Sequence, residues 1–308
     1  MKILVTGGAG FIGSTTVDLL VKDGHRVVVL DDFSTGREEN LNPEVEVLRL
    51  SIADETILQV FAEWRFDAVM HCAAQIDVRK SVENPVFDAG VNILGTLNLL
   101  EACRRTGVKR FVFSSTGGAI YGDTEQRPTP VGADCQPISP YGITKFSVEK
   151  YLYYYREIQG LSTFAVRYGN VYGPRQNPHG EAGVVAIFAR RLLEDLPLQI
   201  NGDGTQSRDY VFVEDVARAN CLALAADCGG AANVGTGVET DVNRLYELLA
   251  AALGSTRPAP HGPALAGEQR TSCLSWEATR ELLGWEPKVP FEEGIVRTAE
   301  WFRSRFGS

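Results

Sequence analysis

Residues 2–13 read KILVTGGAGFIG, an apolar run that leads directly into a loop with spaced glycines. The run Lys2–Thr6 predicts a strand, and the amphipathic stretch Phe11–Val21 predicts the helix that follows it. The same alternation continues through the first half of the chain, with further runs at Arg26–Asp31, Val45–Leu50, Asp67–His71, Lys109–Ser115 and Thr163–Tyr168. Apolar runs separated by helices predict parallel strands, because the helices then cover both faces of the sheet.

The expected fold class is α/β: a Rossmann-like, doubly wound parallel sheet with a smaller mixed α/β carboxy-terminal lobe. Two long helices are predicted near Pro85–Arg105 and Tyr141–Gln159. Later helices are predicted near Val184–Leu193, Val213–Ala226, Val242–Leu253, Trp276–Leu283 and Phe291–Arg305. We therefore expect two domains, residues 1–170 with a return segment near 208–236, and residues 171–308.

Composition and charge are typical of an ordinary globular protein. The chain has 308 residues, 44% of them hydrophobic and 22% charged, which is enough to bury a core. Its net charge of −9 has the wrong sign for a nucleic-acid-binding protein. No apolar run approaches the roughly 20 residues that cross a bilayer, so we expect a cytoplasmic protein without a membrane partner. The cysteines and histidines lack metal-ligand spacing, so we expect reduced thiols and no metal.

The glycine loop predicts a dinucleotide site. Gly7 permits a tight turn, Gly10 lets the backbone approach a pyrophosphate, and Gly13 lets the helix pack against the strand. The first helical turn, which includes Phe11 and Ile12, offers unpaired N–H groups to the same anion. This interpretation depends on the strand before the loop and the helix after it, since a glycine pattern alone is a weak signal.

Two acidic residues end the second predicted strand. Asp31 follows Gly13 by 18 residues, where a carboxylate can accept hydrogen bonds from both hydroxyls of an adenosine ribose. The same charge would repel a 2′-phosphate, so we expect NAD rather than NADP, although Arg37 nearby is a feature that would favour NADP. Asp32 is a further candidate cofactor ligand.

A phenol and an ammonium one helical turn apart predict an acid/base site. In YGITK, Tyr141 and Lys145 share a helix face, and a neighbouring cation favours the phenolate form of a tyrosine. Tyr141 is therefore a candidate general base. The SST sequence at Ser114–Thr116 ends a predicted strand upstream, where its hydroxyls can reach the same substrate. Either Thr116 or Ser115 is a candidate for that contact.

Motifs along nearly the whole chain resemble one protein family. They are GGAGFIG, LDDFSTG, HCAAQ, VNILGTLNLLEA, SSTGGAIYG, SPYGITK, RYGNVYGPRQ, NGDGTQSRDYVFVEDVA, NVGTG and LGWEPK. Together they are similar to the extended short-chain dehydrogenase/reductases and, within that family, to the nucleotide-sugar epimerases of the UDP-glucose 4-epimerase type. The resemblance implies an NAD-dependent UDP-sugar 4-epimerase that most often interconverts UDP-glucose and UDP-galactose by transient oxidation at sugar carbon 4.

The resemblance also implies roles for individual residues. Tyr141 would remove the 4-hydroxyl proton, Lys145 would hold the nicotinamide ribose, and Thr116 would hydrogen-bond or relay at that hydroxyl. Besides the glycine loop, Asp31, Tyr141 and Lys145, the implied cofactor contacts are Asp32, Ser51, Ile52, Ala73, Ala74, Gln75, Asn92, Ser114 and Tyr168. The implied substrate contacts are Thr116, Gly117, Asn170, Gly183, Val184, Val185, Arg208, Tyr210 and Arg270, in a carboxy-terminal lobe that binds the nucleotide sugar.

Departures from the family pattern leave the sugar open. Gly117 follows Thr116, where dehydratases and decarboxylases of the superfamily carry an acid, so epimerisation is favoured. Ser51 stands where many members have an acidic residue, so the adenine is expected to bind that hydroxyl or Asp54. Leu265 stands where many have an arginine, and Arg208 and Arg270 are expected to compensate for it. Ser272 falls where strict hexose epimerases have a bulky residue, which would admit an N-acetyl group.

Three further expectations complete this interpretation. UDP-glucuronate is an alternative substrate if Arg190 or Arg191 binds its carboxylate. A catalytically inactive nucleotide-binding protein is a remote alternative, which the intact catalytic set argues against. The resemblance also suggests a homodimer that pairs through the helices near Ile93–Arg105 and Ser147–Gln159.

Overall fold

The computed structural model describes residues 1–179, 183–264 and 269–307. Its strands are β1 (Lys2–Thr6), β2 (Arg26–Asp31), β3 (Glu46–Arg49), β4 (Ala68–His71), β5 (Arg110–Thr116), β6 (Ser162–Tyr168), β7 (Asn170–Tyr172), β8 (Ile200–Asn201), β9 (Ser207–Phe212), β10 (Gly230–Val234), β11 (Glu239–Asp241), β12 (His261–Gly262) and β13 (Thr271–Ser272). Its helices are α1 (Phe11–Lys22), α2 (Ile57–Trp64), α3 (Val78–Glu83), α4 (Pro85–Ala89), α5 (Thr96–Thr106), α6 (Gly117–Ile120), α7 (Pro140–Glu157), α8 (Val184–Leu193), α9 (Val213–Ala225), α10 (Val242–Ala252), α11 (Glu277–Leu283) and α12 (Phe291–Phe306).

A seven-stranded parallel sheet forms the centre of the fold, in the order β10-β6-β5-β4-β1-β2-β3. The order reverses between β1 and β4, so a crevice opens at the carboxyl ends of these two strands, where α/β sheets bind ligands. This sheet and its flanking helices confirm the predicted fold class. The edge strand β10 is formed by residues 230–234, which follow residue 170 in the sequence.

Alternate residues of the buried strands face two separate cores. Ile3, Val5 and Val29 pack on one face with α1 and α9. Leu4 and Val28 pack on the other face with α2, α5 and α7. Because consecutive strand residues point to opposite faces, an unbroken apolar run supplies both cores at once.

The carboxy-terminal lobe has its own core, built from α8, α10, α12 and a small sheet. In that sheet β9 pairs with β11 in antiparallel fashion and with β13 and β7 in parallel fashion. The strand β9 lies within the expected return segment near 208–236, but it belongs to this small sheet and not to the central one. Among the described residues, none of the helices combines the length and the apolar character needed to cross a bilayer.

The long helix expected near Pro85–Arg105 is divided. It forms α4, a π-helical segment at Gly90–Gly95, and α5. The π segment contains Asn92, whose side chain bonds the backbone of Gln75 after β4. π-Helical segments inside longer helices often mark functional sites, and this one lies beside the crevice.

Candidate active site

The glycine loop joins β1 to α1 with the conformations expected of it. Gly7 has a φ of +67°, and a Cβ on it would lie 2.6 Å from the Ala73 nitrogen. A Cβ on Gly13 would overlap the Gly7 carbonyl oxygen. Gly10 precedes α1 and brings no side chain to cap it, so the first-turn N–H groups of Phe11 and Ile12 remain available to an anion.

Asp31 ties the end of β2 to the glycine loop. One carboxylate oxygen accepts a hydrogen bond from the Ala9 N–H at 2.9 Å, and the other accepts one from the Phe33 N–H at 2.8 Å. Burial raises the pKa of this carboxyl, while the two N–H groups act in the opposite direction. Each carboxylate oxygen keeps a second lone pair, so Asp31 can still accept ribose hydroxyls. Asp32 is exposed and accepts hydrogen bonds from Ser34.

The other predicted cofactor residues lie in loops after β3 and β4. The Ser51 hydroxyl accepts a hydrogen bond from the Ala53 N–H, and the buried Ile52 packs against α5. The Ala73 N–H donates to the Thr6 hydroxyl at 3.3 Å, which holds the chain before Ala74 against β1.

Asn92 holds the next residue of that loop. Its side-chain oxygen accepts from the Gln75 N–H at 2.9 Å, and its amide donates to the Gln75 carbonyl at 3.0 Å. Asn92 thereby acts as a local substitute for a neighbouring strand, satisfying both backbone groups of Gln75.

Lys145 is buried, with 3% of its surface exposed, and its ammonium donates to the Ser114 carbonyl oxygen at 2.9 Å. The helix α7 that carries it begins at Pro140 after Ser139, whose hydroxyl accepts from the Gly142 N–H. Burial lowers the pKa of Lys145 from its ordinary 10.5 to about 8, although nearby acidic groups oppose that shift.

Tyr141 lies on the same face of α7, with its ring centre 5.9 Å from the Lys145 nitrogen. Burial raises the pKa of Tyr141 well above its ordinary value, the Asp88 charge raises it further, and a hydrogen bond with the Thr116 side chain lowers it. The phenolate form therefore needs added positive charge, which Lys145 and a bound oxidised nicotinamide would supply.

Thr116 and Ser115 lie on opposite faces of β5. The Thr116 side chain bonds Tyr141, whereas the Ser115 hydroxyl donates to the Glu149 carboxylate at 2.5 Å. Glu149 is itself paired with Arg167 at 2.6 Å in a buried ion pair. Both hydroxyls therefore bond side chains of α7, but Thr116 bonds Tyr141 and Ser115 bonds Glu149 two turns further along the helix. This arrangement favours Thr116 over Ser115 as the residue beside the general base, and the contact of either with a substrate stays a prediction.

A small polar space surrounds Gly118. A Cβ added there would lie 3.7 Å from the Asn170 side-chain oxygen, 3.9 Å from the Thr116 hydroxyl and 4.0 Å from the Ser272 hydroxyl. Gly117 packs tightly against Leu274 instead. The structure therefore places Asn170 of β7 and Ser272 of β13 close to Thr116 of β5, the residue that bonds Tyr141.

The remaining substrate candidates are divided between two places. Gly183 caps α8, so Val184 and Val185 lie in its first turn, whose N–H groups suit a phosphate. On β9 and next to β13, the Arg208 guanidinium donates to the Ser207 carbonyl and Arg270 is exposed with a hydrogen bond to Thr205.

Two predicted tyrosines are held in packed surroundings. The Tyr210 ring stacks on Phe291 with centroids 5.3 Å apart and belongs to the lobe core, so its side chain is not part of the space around Gly118. The Tyr168 hydroxyl bonds Ser114 at 2.9 Å and Asn220 at 2.7 Å. Leu265 lies outside the described residues.

Sequence reasoning missed Asp88 and Thr144. Asp88 is buried on α4 and bonds Thr144, which lies between Tyr141 and Lys145. The available signal was the spacing of Asp88 and Asn92, four residues apart and hence on one helix face.

Comparisons with known proteins agree with this geometry. Residues 3–235 match the model of the NAD dependent epimerase/dehydratase family. The chain is 46% identical over 311 residues to the UDP-glucose 4-epimerase of Mycolicibacterium smegmatis, and the match covers 99% of each protein. The solved UDP-glucose 4-epimerase of Thermotoga maritima with UDP-glucose has a TM-score of 0.97 and 48% identity, covering 99% of each chain. The Thermus thermophilus UDP-glucose 4-epimerase, solved with NAD, has a TM-score of 0.93 and 46% identity, covering 98% of this chain and 99% of that one.

Proposed function

Because this chain belongs to the NAD dependent epimerase/dehydratase family, we propose that it is an NAD-dependent UDP-sugar 4-epimerase acting mainly on UDP-glucose and UDP-galactose. The observation that carries the proposal is the joining of Thr116, Tyr141 and Lys145 at the carboxyl edge of the sheet that also carries the glycine loop. In this proposal residues 1–170, with the segment near 208–236, hold NAD, and residues 171–308 hold the nucleotide sugar.

The chain's own residues divide the chemistry between proton transfer and anchoring. NAD, when bound, accepts the hydride from sugar carbon 4 and returns it to the opposite face. Tyr141, as phenolate, takes the 4-hydroxyl proton, which leaves a 4-keto sugar, and gives that proton back after the sugar has turned. Lys145 keeps a positive charge beside the phenolate. Thr116 hydrogen-bonds the sugar 4-hydroxyl and so orients it toward Tyr141.

The sugar must turn while the nucleotide stays bound. The first turn of α8 and the guanidinium groups of Arg208 and Arg270 are suited to hold the diphosphate, because helix N–H groups and planar cations match phosphate oxygens. The nearest side chains to Gly118 that could meet the sugar are short and polar, those of Thr116, Asn170 and Ser272. Such loose contacts favour an intermediate that can rotate, since tight binding of one epimer would slow the other.

Two glycines after Thr116 support epimerisation over loss of water. Elimination from a 4-keto sugar needs an acid to protonate the departing hydroxyl. Gly117 packs against Leu274 and Gly118 lies next to Asn170 and Ser272, so neither glycine supplies an acid. The 4-keto sugar would therefore be reduced again before any other bond breaks.

The N-acetylated UDP-hexosamines are a second candidate pair of substrates. The observation in their favour is the small Ser272 side chain, whose hydroxyl lies 4.0 Å from the position that a Cβ on Gly118 would take, where a larger residue would fill the space. The UDP-glucuronate alternative has weaker support. Arg190 is already paired with Glu194 at 2.8 Å and with His179 at 2.9 Å, and Arg191 is exposed on α8.

The test is to incubate the purified protein separately with UDP-glucose, UDP-N-acetylglucosamine and UDP-glucuronate and to follow the carbon-4 epimers by proton NMR. We expect UDP-galactose from UDP-glucose until equilibrium is reached, without net consumption of NAD. A protein that binds NAD and leaves all three sugars unchanged would refute the proposed function and leave a nucleotide-binding role.

We also propose a cytoplasmic homodimer. Within the expected pairing segments, α7 exposes Tyr151, Tyr153 and Tyr154, Ile158 is exposed just after α7, and Leu94 is exposed in the π segment before α5. Light scattering tests the dimer, and Tyr151→Glu should weaken it because a charge would enter the apolar contact. Val296→Glu, on the similarly exposed α12 surface, is the matched control that should leave the dimer intact.

A further inference from the structure

A buried carboxylate lies beneath the catalytic helix. Asp88, on α4, has no exposed surface (0%). One of its oxygens accepts hydrogen bonds from the Gln75 side-chain amide at 2.8 Å and the Asn92 amide at 3.0 Å, and the other accepts from the Thr144 hydroxyl at 2.9 Å. All three donors are neutral, so they satisfy the oxygen atoms without cancelling the charge.

Thr144 connects this carboxylate to the catalytic pair. It lies on the turn of α7 between Tyr141 and Lys145, and its hydroxyl also lies 2.9 Å from the Tyr141 carbonyl oxygen. Asp88 is therefore one hydrogen bond away from the helix turn that carries both catalytic groups. In a dry interior a unit charge acts strongly on its neighbours, because little water screens it.

The sign of this effect is the same for both groups. The negative charge of Asp88 raises the pKa of Tyr141 and raises that of Lys145, in each case favouring the protonated form. For Lys145 this opposes the burial that lowers its pKa, and so helps to keep the ammonium that the reaction needs. For Tyr141 it adds to the effect of burial, and so keeps the proton on the phenol until other positive charge arrives.

Other titratable groups also face the pair. Those with an electrostatic effect on it, or on which it acts, are His71 and Cys72 at the end of β4, Tyr168 on β6 and Glu149 on α7. The charged side chains of α3, which packs on α7, are Arg79, Lys80 and Glu83, and all three are exposed. Asp88 differs from the groups of α3 in being fully buried and hydrogen-bonded to α7 itself.

We propose that Asp88 is a positioning residue whose buried charge, held against α7 through Thr144, sets the pH range in which the Tyr141–Lys145 pair works. This inference rests on the roles proposed above for those two residues. Gln75 and Asn92 bond each other and the Asp88 carboxylate, and so hold the loop after β4 and the carboxylate in one place. Thr144 then links the carboxylate to α7.

The substitution Asp88→Asn removes the negative charge of the side chain and keeps its shape. The asparagine oxygen can accept from Gln75 and Asn92, as the carboxylate does, and its amide can donate to the Thr144 hydroxyl, which then donates to the Tyr141 carbonyl. The three hydrogen bonds are kept and only the negative charge is lost. Thr144→Val is the matched opposite, because it keeps the charge of Asp88 and removes the hydroxyl that contacts Asp88, the Tyr141 carbonyl and the Asn92 amide.

The measurement is a pH titration of position 141 in NAD-loaded protein that carries difluorotyrosine there, read by fluorine NMR. We expect the midpoint in Asp88→Asn to move about one pH unit toward acid, the size of effect that a nearby buried charge exerts. Thr144→Val should move it much less. An unchanged midpoint in folded Asp88→Asn, or an equal shift in Thr144→Val, would overturn the proposal.

A second test measures the rate of epimerisation. Both limbs of the pH profile of kcat/KM should move toward acid in Asp88→Asn, since both Tyr141 and Lys145 lose a stabilising negative charge for their protonated forms. If the unchanged protein epimerises no UDP-sugar, the proposed function fails, while the fluorine titration still decides the role of Asp88. If Asp88→Asn does not fold, Asp88→Ser also removes the charge, leaves space for a water, and must shift the same midpoint.

Discussion

The Lys145 ammonium lies 5.9 Å from the centre of the Tyr141 ring and donates one of its hydrogen bonds to the Ser114 carbonyl. In the function proposed above, the other N–H donors of the ammonium would bind a ribose hydroxyl and the phenolate. Lys145 is therefore held by the strand β5 rather than by Tyr141, and the two side chains can be tested separately.

Tyr141→Phe should lower turnover about a thousand-fold while NAD stays bound. The fold and the cofactor pocket survive the loss of one hydroxyl, but the proton acceptor is removed, and such groups contribute about 10²–10⁴-fold to rate. The measurements are epimer formation by NMR and the NAD content of the purified protein. Tyr153→Phe, on the exposed side of the same helix, is the control and should keep full turnover. Turnover of Tyr141→Phe near the level of the control would remove Tyr141 from the mechanism.

We expect kcat/KM to fall as the pH rises through about 8. The pKa of Lys145 in the folded protein is depressed from its ordinary 10.5 by burial, so the ammonium is lost in this region and Tyr141 loses its positive neighbour. The pH dependence of initial epimerisation rates measures the alkaline limb. Lys150→Met is the control, because Lys150 is exposed on the same helix and its removal should leave that limb in place. A rate that stays constant to about pH 10, the ordinary range of a lysine, would contradict the role of Lys145.

Gly13→Ala should abolish NAD binding and lower the thermal midpoint. The added methyl would overlap the Gly7 carbonyl oxygen, so the loop and α1 would have to separate, at a cost of about 2 kcal/mol or more. Calorimetry with NAD and thermal unfolding measure the two effects. Gly90→Ala is the matched control: Gly90 has helical φ and ψ of −58° and −47°, and the added methyl meets no atom within 4 Å. Normal NAD affinity in Gly13→Ala would show that the loop adapts.

Much of the fold could be predicted because its information is local. The strands β1 to β6 are short apolar runs, and α1, α7, α8, α10 and α12 are amphipathic stretches. The division of the helix near Pro85–Arg105 could not be predicted in the same way, because its π segment places Asn92 against Gln75, which is distant in sequence. The pairing of β10 with β6 is likewise a long-range contact that no local period encodes.

In the candidate site, too, local relations could be predicted from the sequence and long-range contacts could not. The relation of Tyr141 to Lys145 follows from spacing on one helix, whereas the pairing of Thr116 with Tyr141 and of Ser115 with Glu149 depends on how the end of β5 lies along α7. Tyr210 belongs to a sequence motif, yet its ring is held by the packing of the lobe core. Asp88 was missed because an acidic residue in a sequence gives no sign of complete burial, which is a property of the tertiary structure.

Asp31→Asn should weaken NAD binding about ten-fold and narrow the preference for NAD over NADP. The substitution removes the negative charge that would repel a 2′-phosphate and leaves one oxygen where two accept the Ala9 and Phe33 N–H groups. Affinities for both cofactors by calorimetry measure the change. Asp23→Asn, an exposed acid at the end of α1, controls for net charge and should alter neither affinity. A wild-type protein that binds NADP more tightly than NAD would contradict the role of Asp31.

Ser272→Tyr should select against N-acetylated sugars. The Ser272 hydroxyl borders the space around Gly118, and a tyrosine there would occupy the volume that an acetamido group needs. We expect kcat/KM for UDP-N-acetylglucosamine to fall at least about ten-fold relative to that for UDP-glucose, since specificity differences of this size arise from one filled pocket. Thr271→Tyr, the preceding residue of β13 with its side chain on the opposite face, is the control and should leave the ratio unchanged. Equal losses on both substrates in Ser272→Tyr would place the sugar elsewhere.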